Sequence, residues 1–83
     1  MKTTWHFEIF VRRDHVESNR TDWIEKVLSQ PEATEVQSDG RIKHWGYVEE
    51  AGYYMRVVTL EDGETVLTAF FDRNYTRRRR GET

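Results

Sequence analysis

The stretch that most constrains the fold is YYMRVVTLEDGETVLTAFF, residues 53 to 71. Two runs dense in β-branched and aromatic residues flank Asp62-Gly63, a dipeptide that favours a tight hairpin because glycine supplies positive φ without steric cost. Tyr53 to Leu60 and Thr65 to Phe71 therefore read as adjacent antiparallel strands. A two-residue loop pairs Glu61 with Glu64, then Val58 with Leu67, Arg56 with Ala69 and Tyr54 with Phe71. Val57 with Thr68 and Met55 with Phe70 fall on the opposite face. Both faces are largely apolar, so both require cover, from a partner subunit or from the C-terminal segment. Arg56 is the exception. A buried guanidinium needs acceptors, so Arg56 reaches the sheet edge, pairs with a carboxylate or lines an anion site.

The remaining chain supplies strands and one helix around this hairpin. Thr4 to Val11 alternates Trp5, Phe7, Ile9 and Val11 with mostly polar neighbours and reads as a strand. Asp14 and Glu17 have capping-box spacing, with Ser18 or Thr21 as alternative caps. Val16, Trp23, Ile24, Val27 and Leu28 form an apolar stripe at helical spacing, and Pro31 stops the helix by Ser29 or Gln30. Ala33 to Gln37 and Arg41 to Glu49 read as further strands, with Gly46 a position for a bulge. The expected fold is α+β: an antiparallel sheet of four to five strands with one main helix packed on one face. The expected division is a single domain over residues 1 to 75 and a flexible basic tail over 76 to 83.

Charge is unevenly distributed. Residues 1 to 72 hold eight Lys and Arg against fourteen Asp and Glu, whereas residues 73 to 83 hold five Arg against one Glu. An acidic body argues against broad, non-specific DNA binding, while the arginine run offers a local phosphate contact. Cysteine is absent, which removes thiolate chemistry and fits a reducing compartment. With no secretory or membrane-spanning pattern, the expectation is a cytoplasmic protein without a membrane role. The glycines are scattered and form no phosphate loop, and the three histidines have no metal-binding spacing. Neither a cofactor nor a metal is expected.

RNA cleavage by the substrate's own 2′-hydroxyl needs no metal. It needs proton-transfer groups and donors around the phosphorane-like transition state. His15, Arg56, Thr68 and Arg41 are the candidate catalytic residues, and Arg73, Tyr75, Arg77, Arg78, Arg79 and Arg80 are the candidate nucleic-acid contacts. Arg12 and Arg13 add positive charge before His15, and Trp45, Tyr47 and Tyr53 offer faces for base stacking. In the register above, Arg56 and Thr68 face opposite ways. Either a bulge reconciles them or Arg41 is the arginine of the site.

The layout of a histidine before a helix, VLSQPEATEV, and then DGRIKHWGYVEEAGYYMRVVTLEDGETVLTAF resembles small prokaryotic and phage domains of unknown function in the RelE-like and barnase–EndoU–colicin nuclease superfamily. The resemblance spans roughly residues 15 to 73. It implies a metal-independent, RNase-like or toxin-like domain acting on RNA and paired with an inhibitor protein. It also implies that His15, Arg41 or Arg56, and Thr68 match the family's functional positions. The alternative reading is a non-catalytic domain that binds a protein or forms a homodimer through its doubly apolar sheet.

Overall fold

The computed structural model describes residues 1 to 81. It is an α+β domain with a four-stranded antiparallel sheet and three helices. Strands β1 (Ala33–Val36), β2 (Ile42–Val48), β3 (Tyr53–Thr59) and β4 (Val66–Phe71) follow one another in space as in sequence. Helix α1 (Arg12–Asp14) continues a π-helix (Phe7–Val11), and a 3-10 turn (Val16–Asn19) leads to α2 (Thr21–Ser29). Helix α3 (Arg73–Arg79) follows the sheet.

The expected strand over Thr4 to Val11 is instead helical. Phe7 and Val11 are buried, but Trp5 is 72% exposed and Ile9 43%. Four-residue spacing puts Phe7 and Val11 on one face in either a strand or a helix, so this pair fits both periods. Local chemistry favours the helix: the Phe7 amide donates to Thr4 Oγ1 at 3.1 Å, and Glu8 pairs with Arg12 at i,i+4. A parallel bridge pairs Thr3, one residue before that expected strand, with Val66.

Helix α2 begins at Thr21 and ends before Pro31, burying Ile24 and Val27 against the sheet. Trp23 and Leu28 pack at the margin of the core, whereas Val16 lies in the 3-10 turn and is 81% exposed. The capping box expected at Asp14 and Glu17 does not form. Glu17 instead accepts a hydrogen bond from the Phe71 amide at 3.1 Å, and Ser18 Oγ donates to the Ala69 carbonyl. Two side chains of the 3-10 turn thus satisfy β4 backbone groups that an additional strand would otherwise take.

No bulge forms at Gly46, which pairs regularly with Met55. A Cβ there would lie 3.0 Å from Val27 Cγ2, so glycine lets α2 approach β2. The irregularity falls instead in the last hairpin. The chain turns over Leu60 to Gly63, with the Gly63 amide donating to the Leu60 carbonyl and Gly63 at φ 71°. Asp62 accepts from the Glu64 and Thr65 amides, which stabilises this wider loop. Thr59 pairs with Val66, but Val58 pairs with Thr68, so Leu67 is the extra residue. Beyond it Val57 pairs with Ala69, Arg56 with Phe70 and Met55 with Phe71, one position from the expected register.

That shift sorts the two faces. Met55, Val57, Val66 and Ala69 turn inward and form the core with Phe7, Val11, Ile24, Val27 and Val48. Arg56, Val58, Thr68 and Phe70 turn to the other face, joined by Lys43, Trp45 and Tyr47 of β2. The C-terminal segment covers part of this outer face as α3, so the expected boundary after residue 75 falls within a helix. Asp72 caps α3 by accepting from the Tyr75 amide, Thr76 is buried, and its hydroxyl accepts from the Tyr54 amide.

Candidate functional site

On the outer face, two of the ten sequence-derived candidates, His15 and Arg56, meet at the Phe70 ring. His15 lies in an extended residue between α1 and the 3-10 turn, and its ring stacks on Phe70 at 5.5 Å between centroids. The Arg56 guanidinium lies 4.5 Å from the same ring centroid. His15 and Arg56 are therefore no further apart than these two distances combined. The bulge at Leu67 creates this juxtaposition, because the straight register would place Arg56 opposite Ala69. Thr68 shares the outer face with Phe70, two residues back along β4.

Thr68 also lines a cleft of 500 Å³ with Leu67, Arg41 and His6. His6 came from a segment that reads as a strand by alternation, where nothing singles it out. Its helical setting brings it to the bulged end of β4 and places its ring 5.5 Å from Phe10. The Glu8–Arg12 spacing was the available sequence signal for that helix. Arg41 itself is exposed and lies 3.6 Å from Asp39. No direct hydrogen bond links His15 to Thr68, Arg41 or Arg56 among the described residues.

Asp72 organises the other side of Arg56. Its carboxylate lies 3.7 Å from Arg56 Nε and accepts from the Trp45 indole at 3.0 Å as well as from the Tyr75 amide. Burial pushes this carboxyl up, but the Tyr75 amide, the Trp45 indole and the Arg56 and Arg78 cations outweigh it and hold the group below its ordinary range. Tyr75 stacks on Trp45 at 4.9 Å and meets Tyr54 edge-on at 5.1 Å.

The basic C-terminal candidates separate by environment. Arg79 pairs with Glu32 at 2.9 Å, and Arg80 donates to the Gly52 carbonyl. Arg73 is exposed with its guanidinium 5.4 Å from the Tyr53 ring, and Arg77 is exposed. Arg78 lies 5.8 Å from the Tyr75 ring and faces the outer surface of the sheet. Arg12 is held by Glu8 and lies over Phe7, so it is part of the helical packing rather than the Phe70 cluster.

Among the described residues, no three or more His, Asp or Glu side chains converge as a metal site. No described helix is long and apolar enough to cross a membrane. Comparison with protein-family models, curated proteins and solved structures found no match to this chain.

Proposed function

We propose that this chain is a metal-independent, RNase-like domain that acts on RNA across its outer sheet face. The observation that carries the reading is the approach of both His15 and Arg56 to one ring, Phe70, with Thr68 on the same sheet face. A scissile phosphodiester placed over Phe70 would meet an imidazole and a guanidinium together. His15 takes the proton from the substrate 2′-hydroxyl as its oxygen attacks phosphorus. The bond from phosphorus to the 5′ oxygen breaks, and that oxygen takes a proton from His6 or solvent. Arg56 and Arg41 stabilise the charge developing on the non-bridging oxygens, and Thr68 donates its hydroxyl to them. The RelE-like resemblance belongs to this proposal and supports the same chemistry.

Incubating purified protein with mixed-sequence RNA in the presence of a chelator tests the reading. Cleavage is expected, with a His15→Ala variant at least about 100-fold slower, as for loss of a general base. Equal cleavage by wild type and variant would trace the activity to a contaminant and reject the site.

A second reading rests on a different surface. Trp5, Ile9 and Phe10 expose 72%, 43% and 38% of their area along the N-terminal helical segment, which favours a protein-interaction or dimerisation role there. Light scattering of the wild type beside Trp5→Lys tests self-association. A concentration-independent monomer would count against a homodimer.

A further inference from the structure

The outer face carries a second cleft between β1, β2 and α3, with a volume of 560 Å³. Lys43, Arg56 and Arg78 bring three cations to it, beside Trp45, Asn74 and Tyr75. Two carboxylates also line it, but both are engaged. Glu35 lies 3.7 Å from Lys43, and Asp72 is held by Trp45, Tyr75 and Arg56. Arg78 has no carboxylate within 4.0 Å among the described residues, and the buried Arg56 Nε makes no hydrogen bond. Each of those carboxylates holds one of the three cations, Lys43 or Arg56, so the cleft carries a surplus of one cation, Arg78.

Its aromatic wall continues outward. Tyr54 meets Tyr75 at 5.1 Å, and Tyr47 lies 5.2 Å from Tyr54 with 39% of its area exposed. A row of rings beside a row of cations is the arrangement that holds unpaired nucleotides: phosphates meet the cations and bases meet the rings. Arg56 belongs to both this cleft and the Phe70 cluster, so the two are contiguous on the outer face.

We propose that this cleft is a phosphate-binding subsite for single-stranded RNA, with Lys43, Arg56 and Arg78 on the phosphates and the Tyr47–Tyr54–Tyr75 row beside the bases. The inference rests on the RNA reading above and identifies where the flanking strand lies.

The test uses the full chain labelled with ¹⁵N and a short 2′-O-methyl RNA, which lacks the attacking hydroxyl and remains intact. The Trp45 indole N–H, which donates to Asp72, is the reporter. The expected result is a saturable shift of that resonance with the single strand. Arg78→Gln is expected to lower the slope of log affinity against log salt by about one, as for one lost phosphate contact. Lys26→Gln makes the same charge change on α2, at the opposite sheet face, and is expected to leave the slope unchanged. The proposal is overturned if the Trp45 resonance does not move, or if both variants lose the same slope. It is equally overturned if inorganic phosphate alone saturates the shift at the same concentration, or if a duplex of the same sequence binds as tightly. Binding at Trp45 without cleavage of ordinary RNA would sink the ribonuclease reading and leave the subsite. Cleavage without a Trp45 shift would do the reverse.

Discussion

At single residues, His44 and Asp62 couple the fold to pH, because the folded chain lowers the pKa of each. His44 is buried on the inner face with Nε2 3.0 Å from Thr59 Oγ1, and burial lowers its pKa below the ordinary 6.5. The folded protein therefore resists the proton that the unfolded chain accepts. Stability is expected to be undiminished by this residue above about pH 6.5 and to fall as pH drops below it. Urea midpoints across that window should decline for the wild type and flatten for His44→Asn. Asp62 has the opposite origin and lower range: the Thr65 hydroxyl, then the Thr65 and Glu64 amides, bring its pKa down from 3.8 to about 2. Its contribution is present above pH 3.8 and is lost as pH falls toward 2. Gly46 gives a third residue-scale outcome. Gly46→Ala brings a Cβ to 3.0 Å from Val27 Cγ2 and 3.3 Å from the Val27 backbone, and overpacking of this kind is expected to cost about 1–3 kcal/mol in denaturant titration.

At the element scale, the seal on β4 is the feature most open to attack. Glu17→Ala removes the acceptor of the Phe71 amide, an expected loss of about 1–3 kcal/mol. Hydrogen exchange at Phe71 should accelerate more than at Met55 in the core, and equal acceleration would mean global destabilisation instead. The same elements show what could be read in advance. The three β2, β3 and β4 strands were legible from their β-branched and aromatic runs, and α2 from Ile24, Val27 and Pro31. The N-terminal helix was not, because Phe7 and Val11 satisfy both periods and the exposed Trp5 and Ile9 imitate a strand face. A bulge was one of two ways to bring Arg56 and Thr68 to one face, but its place at Leu67 was hidden. Asp62-Gly63 signals a hairpin, but Gly63 takes the positive-φ position after the turn, and tertiary demand for Ala69 and Val66 in the core moves the register. His15, Arg56 and Thr68 could be chosen by chemistry, yet their common face depended on a bulge that the sequence offered only as one of two alternatives.

At the scale of the whole molecule, the sheet has one face for the core and one face that α3 covers in part. Phe7, Val11, α2 and the inner side of β3 and β4 supply the folding surface, while α3 covers only part of the outer side. In the proposed function, His15, Arg56 and the cleft beside α3 form one path for RNA, while Arg79 and Arg80 hold α3 in place. Arg79→Ala is accordingly expected to loosen α3 before it affects chemistry, seen as faster amide exchange at Thr76. The central claim is that this face cleaves RNA through the substrate's 2′-hydroxyl. Mass analysis of the new ends, after reaction with RNA in chelator, tests it most directly. The expected products carry 2′,3′-cyclic phosphate ends that disappear with His15→Ala, whereas intact RNA, or 5′-phosphate ends insensitive to that substitution, would contradict this chemistry.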